Sequence, residues 1–304
     1  MYEINSTDET LRVCGALASP LRLAIVRYVS HNNGINLNDL AVKLNVSNSA
    51  LTAHIRELQG AGVLRVESAS GKHGTQKKCY LEKYQYTINF LNEPQPNNMI
   101  ETELPIGLYT AFHAMPTCGL ATQKHIIGKW DDPRYFDDPE RVQASIIWIG
   151  SGYFEYRIPN YLEQDKLLSQ LRITQELSSE APGYNEDYPS DISFSINGVM
   201  LGSWECPGDF GAKRGLFTPD WWIADVNQHG LLKALIITEN GTYMDAQRIS
   251  NVSINDLNIQ PGGDIVYRIS AHADAEHAGG LSLYGRGFGN YNQDIIAQMI
   301  WSNA

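Results

Sequence analysis

The sequence has no stretch approaching the roughly 20 apolar residues a membrane-spanning helix needs. Its start, MYEINSTDET, lacks the basic and apolar regions of a secretory leader. The chain is therefore expected to stay in the cytoplasm. Cysteine is scarce: Cys14, Cys79, Cys118 and Cys206 lie far apart and form no Cys-x-x-Cys pair. That argues against a zinc knuckle or a disulfide framework and leaves reduced, mostly buried thiols. With 43% hydrophobic and 19% charged residues among 304, the composition is neither disordered nor membrane-like. The length suits two domains.

Positive charge is also short, with a formal net charge of −11, but it is unevenly spread. Residues 1–89 hold ten Lys/Arg against seven Asp/Glu, a balance of +3; residues 90–304 hold thirteen against twenty-seven, a balance of −14. A partner as negative as duplex DNA needs a locally positive face. The N-terminal segment alone could supply one.

That segment reads as four helices and a hairpin. Leu11, Cys14, Leu17 and Ala18 recur at helical spacing, giving the first helix an apolar face. Pro20 opens PLRLAIVRYVS with Leu21, Ile25, Tyr28 and Val29 inward, and Asn33-Gly34 breaks it. Asn36 is an N-cap for LNDLAVKL, whose stripe is Leu37, Leu40, Ala41 and Leu44. Ser47 caps a fourth helix, in which Leu51, Ile55 and Leu58 repeat, and Gly60 and Gly62 end it. The period then changes to two: VLRVES and KKCYLEKYQYTINF flank the basic loop SGKHGTQ. Short helices, a tight turn and a hairpin make a winged helix-turn-helix.

With Leu51, Ile55 and Leu58 inward, Asn48, Ser49, Thr52 and Arg56 face outward near the helix N-terminus capped by Ser47. Short hydroxyls and amides suit base edges or phosphates, and a guanidinium suits guanine or phosphate. Lys72, His73, Lys77 and Lys78 cluster on the expected wing, where cations neutralise phosphates beside the groove. The ordinary alternatives are a solvated helix face and a solvated basic loop.

ASPLRLAIVRYV, NDLAVKLNVSNSALTAHIRELQGAGVL and the basic hairpin together resemble the ArsR-type winged-helix regulators over about residues 8–90. The most specific part is the run from Ser47 to Gly62. The resemblance implies a homodimer that binds double-stranded DNA through two such helices, with Asn48, Ser49, Thr52 and His54 facing it. Metal sensors of that type often carry a Cys-Val-Cys motif in the helix before the recognition helix. LNDLAVKL has no thiol there, so no metal and no cofactor are expected. The segment His272, Asp274, Glu276 and His277 is the densest alternative, and a polar hairpin loop is the simpler reading.

From residue 91 a Pro/Asn-rich link leads at 105 into many short alternating runs, among them ASIIWIGSGYFEYRI, LLSQLRITQELS, DISFSINGVMLGSW and LLKALIITENGTYM. Asn197-Gly198 and Asn240-Gly241 are hairpin signals. The expected fold is α+β with two domains, a winged helix-turn-helix over 1–90 and an all-β, jelly-roll-like sandwich over 105–304. SEAPGYNEDYPSDISFSINGVMLGSW, with CPGDFG and FTPDWW, is similar to a C-terminal domain joined to such winged helices in Gram-positive regulators.

The stretch 184–222 combines aromatics with planar polar groups, as carbohydrate sites do, because sugar rings have apolar faces and a rim of hydroxyls. Tyr184, Asn185, Asp187, Trp204, Asp209, Arg214, Trp221 and Trp222 are its candidate ligand residues, the plain alternative being core. Glu155, Glu176 and Glu180 are available as carboxylates, yet no nucleophile elbow, phosphate loop or metalloprotease helix accompanies them. GRGFGN at 285–290 lacks a following lysine and helix, so a turn is expected. The sequence thus reads as a non-enzymatic, ligand-responsive transcriptional regulator. Two alternatives stay open: a carbohydrate-active enzyme with an accessory winged helix, and a DNA-tethered protein-interaction module.

Overall fold

A computed structural model describes residues 2–4, 7–71, 74–83, 86–88 and 98–303. The chain divides into two compact units, Met1–Gln95 and Pro96–Ala304. The α+β, two-domain layout is the one the sequence predicts. No single helix among the described residues is long and apolar enough to cross a membrane.

The N-terminal unit contains β1 (Tyr2–Ile4), α1 (Thr7–Leu17), α2 (Pro20–His31), β2 (Ile35–Asn36), α3 (Leu37–Lys43), α4 (Asn48–Gly60), β3 (Leu64–Gly71), β4 (Gly74–Leu81) and β5 (Tyr86–Ile88). The caps fall where the sequence puts them. The Asn36 side chain accepts from Asn38 N, and Ser47 Oγ accepts from Ala50 N at 3.2 Å, each satisfying an otherwise orphan helix donor. Gly34, with φ of +86°, makes the turn after α2, and Asn33 Oδ1 ties that turn to the wing by accepting from Leu81 N at 2.9 Å. Ile25, Val29, Leu40, Leu51, Ile55 and Leu58 form the core with Cys79 and Leu81 of β4.

One stripe differs from expectation. On α1 the buried residues are Val13 and Ala16, while Leu11 is 66% exposed and Cys14 is also exposed. Periodicity locates an apolar face but does not say whether the domain's own core covers it. Cys79, Cys118 and Cys206 are buried, as expected of free thiols. Parallel pairing of β1 with β5 has no counterpart in the sequence reading.

Among its described residues the C-terminal unit holds twelve strands: β6 (Met99–Leu104), β7 (Ala111–Ala121), β8 (Ile146–Arg157), β9 (Lys166–Ser178), β10 (Ser190–Ile196), β11 (Val199–Cys206), β12 (Leu231–Thr238), β13 (Gly241–Met244), β14 (Gln247–Ser250), β15 (Val266–Ala271), β16 (Leu281–Tyr284) and β17 (Ile295–Asn303). They form one antiparallel sheet folded into two layers. Strand β8 pairs with β7 along one edge; its first residues pair with β16 and its last with β15, which leads on to β10 and β11. Strand β9 pairs with β12 on one side and with β17, then β16, on the other. Thus β16 is the seam between the layers. At the far side Gly202 of β11 approaches Ile249 of β14, so the sheet is nearly closed. Asn197 and Gly198, both at positive φ, form the two-residue β10–β11 turn. The β12–β13 turn falls one residue earlier than its signal, at Glu239-Asn240.

Strand β8 explains how the unit is layered. Ile146, Ile147, Trp148 and Ile149 are all buried, although successive strand residues point to opposite faces. Ile147 and Ile149 belong to the core between the layers. Ile146 and Trp148 instead join Ala121, Trp222, Tyr284 and Phe288 in a second core outside the sheet. A continuous apolar run is what a strand covered on both faces requires.

Leu58 is fully buried in the N-terminal core, so Leu58→Ala should cost that unit about 2–5 kcal/mol. All six tryptophans lie between 130 and 301, so their emission follows the C-terminal unit. In a denaturant titration the helical far-UV signal should melt earlier while the tryptophan transition stays in place. Equal displacement of both would show that the units unfold as one.

Candidate nucleic-acid interface and ligand cavity

The first turn of α4 lacks acidic residues, so the positive end of its helix dipole is uncompensated. Ser47, Asn48, Ser49, Thr52 and Arg56 are exposed there. The polar groups are held in place: Ser47 Oγ lies 3.1 Å from Ser49 Oγ, and Thr52 Oγ1 donates to Asn48 O at 2.7 Å. Strand β4 runs alongside, its Lys78 opposite Asn36 of β2 and its Lys77 opposite Ser68 of β3. Asn36, Asn38, Asn48, Thr52, Gln76 and Lys77 border one cleft of about 420 Å3. Helix start and wing therefore converge, with Lys77 as the cation at their meeting.

His54 does not join them. It is half-buried, and at about 100° per residue it sits some 160° around the helix from Thr52. Lys78 is half-buried and Lys77 exposed, as alternation along a strand dictates. Lys72 and His73 lie outside the described residues.

In the β unit, the eight candidate ligand residues are not gathered at the cavity described below; none lines it. Trp222 is 1% exposed, packs edge-on to Phe288 at 5.0 Å, and donates from Nε1 to Asn227 O at 2.8 Å. Arg214 donates to the carbonyls of Pro219 and Trp222 and so clamps the loop that carries the indole. Asn185 Oδ1 accepts from Asp187 N, and Asn185 O from Asp209 N. Trp221 donates to Gln123 O, Tyr184 covers Gly211, and Trp204 on β11 lies under the Lys233 ammonium. The loop that carries Trp222, braced by Arg214, plugs the outer face of β8, whereas Trp204 packs against the main core.

A cavity of about 260 Å3 does open beside that plug, bordered by Thr117, Trp130, Asp131, Trp148, Glu180 and Asn227, with the 181–183 backbone and Val226. Trp130 packs on Trp148 at 4.9 Å and on Trp222 at 5.7 Å, yet stays 41% exposed. Its backbone is pinned to β7 by a reciprocal pair: Asp131 N donates to Cys118 O, and Cys118 N to Asp131 Oδ1, both at 2.8 Å. Gly119 on β7 makes room for Trp148, whose indole lies 2.3 Å from where a Cβ would stand.

Glu180 forms the cavity's buried polar wall. Thr117 Oγ1 donates to its Oε1 at 3.1 Å; Asn227 Nδ2 and Ser282 Oγ donate to its Oε2 at 3.0 and 2.9 Å. Burial, reinforced by nearby Asp209, raises the Glu180 carboxyl well above the usual range, against those hydrogen bonds. Burial likewise pushes Asp209 up to about 7; its Oδ2 accepts from Ala181 N, while its buried Oδ1 has no partner among the described residues. Glu176, pushed up to about 8 by burial, accepts from the backbone of Gly230, Asn290 and Tyr291. That bond set fastens the GRGFGN turn, which indeed links β16 to β17. Glu155 instead pairs with Arg268 on β15.

The HADAEH segment turns after β15, with Ala275 N donating to His272 O, so its side chains do not share an extended face. His277 meets Asp191 and Glu205 instead, its Nδ1 3.2 Å from Asp191 Oδ1. Sequence reasoning missed Trp130 and Asn227 altogether. The one available signal was Lys-Trp-Asp-Asp-Pro at 129–133, an indole in a turn-forming segment.

Residues 17–67 match the family model of a helix-turn-helix domain. No curated protein matches the chain. Among solved structures, one similar chain is a possible transcriptional regulatory protein (fragment 1-100) from Mycobacterium bovis. It is 18% identical, covers 25% of this chain and 76% of its own, and has a TM-score of 0.22. The N-terminal unit is a helix-turn-helix domain with a β wing.

Glu180 and Asp209 hold protons more tightly folded than unfolded. Their contribution is therefore complete at low pH and lost as pH rises, through about 7 for Asp209 and further for Glu180. The β unit's melting temperature should fall between about pH 5 and pH 8. In Glu180→Gln, the amide nitrogen donates to Thr117 Oγ1 and the amide oxygen still accepts from Asn227 and Ser282, so the fall should be shallower. A wild-type melting temperature that rises over that interval would contradict this account.

Proposed function

We propose that the protein is a DNA-binding transcriptional regulator of the ArsR type, acting as a homodimer, whose C-terminal β unit senses a small molecule. The observation that carries the reading is the cleft where the polar, acid-free start of α4 meets Lys77 of the wing. Helix starts of this kind enter the major groove while the wing neutralises flanking phosphates. The charge division supports it, since the excess of cations is confined to residues 1–89. Exposed Leu11 on α1 and Leu23 on α2 supply apolar surface that a second copy would cover.

The β unit is read as a sensor rather than a catalyst. A ligand that binds the DNA-competent and DNA-incompetent arrangements with different affinity shifts the balance between them by that difference. Control of transcription then needs no chemical step. Neither the glycoside-cleaving alternative nor the protein-docking one has an observation that favours it.

Binding to the duplex upstream of the protein's own gene, followed by fluorescence anisotropy across a salt series, is the test. Wild type should lose affinity steeply with salt. Lys77→Ala should weaken all duplexes alike and lower the salt slope by about one, and Arg56→Ala should cost about 1–3 kcal/mol. Absence of salt-sensitive binding to any duplex would end the proposal.

A further inference from the structure

We propose that the cavity between Trp130, Trp148 and Glu180 is the sensor's ligand site, and that it takes a neutral polyol the size of one sugar ring. This rests on the reading of the β unit as a sensor and adds the site and the class of ligand.

Charge narrows the class first. None of the lining residues is Lys, Arg or His, so an anion entering the cavity would lose its hydration with no countercharge to meet it. A cation fares little better. The two carboxyl groups on the wall are already engaged, Glu180 by Thr117, Asn227 and Ser282, and Asp131 Oδ1 by Cys118 N. What remains is a neutral guest.

Shape and hydrogen bonding narrow it further. Trp130 offers a flat apolar surface whose position is fixed from behind by two other indoles and from below by the Asp131–Cys118 pair. A platform fixed in advance avoids the ordering cost of binding. Beside it stand a hydroxyl, a carboxamide and a carboxyl, from Thr117, Asn227 and Glu180; the Thr117 hydrogen and both Asn227 Nδ2 hydrogens are spent on Glu180 and Ser282, which leaves oxygen lone pairs to accept from the hydroxyls of a guest. A sugar has the matching pattern, an apolar C–H face rimmed by hydroxyls. The volume, about 260 Å3, is just under the roughly 300–1,000 Å3 of sites for drug-sized ligands, which suits one ring rather than a chain of them.

The test uses the full-length protein, with melting temperature and tryptophan emission recorded against D-glucose, D-galactose, D-xylose, L-arabinose and L-rhamnose. Choline and putrescine form a cationic arm, and citrate an anionic one. At least one sugar should raise the melting temperature and change the emission. Trp130→Ala should weaken it at least about tenfold. Trp130→Phe, which restores a flat ring, should recover most of the loss. Binding confined to a charged arm, no binding by any of these sugars, or undiminished sugar binding by Trp130→Ala would each overturn the assignment. Duplex affinity with and without the bound sugar separates the two claims: sugar binding that leaves it unchanged upholds the cavity and removes the sensing role.

Discussion

The double-sided burial of β8 is the constraint on which the C-terminal unit depends. Ile147 and Ile149 are claimed by the core between the layers, so Ile146 and Trp148 need a cover of their own on the outside. That cover comes from loops rather than from a third sheet. Trp222 arrives on a segment stiffened by Arg214, Phe288 on the turn fastened by Glu176, and Trp130 on the segment anchored at Cys118. Burying a large side chain contributes about 1.5–3 kcal/mol, and the cluster draws on several. The cavity lies where the segments carrying Trp130, Glu180–Gly183 and Val226–Asn227 meet beside Trp148 without filling the space.

The N-terminal unit solves a different problem. A short helix must show polar atoms to a polyanion while its other face packs into a core of about a dozen side chains. Leu51, Ile55 and Leu58 hold it from beneath, Ser47 caps it, and β2 joins β4 so that the wing leaves the body at the cap. Glu57 is the one acidic residue on α4, and it follows the second turn, away from the polar start of the helix.

Much of this was legible in the sequence, and the reasons differ by element. Helices α3 and α4 were read through their caps and through stripes whose inward face was unambiguous, and the wing through its change of period. Strand β7 was missed because Pro116 and a break in register between Met115 and Cys118 interrupt its alternation, and β17 because IIAQMIWSN lacks a clean pattern of two. The exposed face of α1 was misjudged because apolar spacing looks the same whether or not a neighbour exists. The ligand residues were sought in the segment richest in aromatics. There Trp222 proved to be filler and Arg214 a clamp, since a loop that must cover a strand draws on the same residue types as a binding surface. The aromatic and polar groups that do meet come from positions 117, 130, 148, 180 and 227, and no local pattern links residues that far apart.

Strand β16 is four residues long, yet both layers hang from it. Ser282 at its second position shares a hydrogen bond with Glu180 and another with Asn227. The seam of the sheet is therefore wired into the wall of the cavity. The strand that holds the two halves together and the polar lining of the hollow thus share one hydroxyl, so neither can be rebuilt without the other.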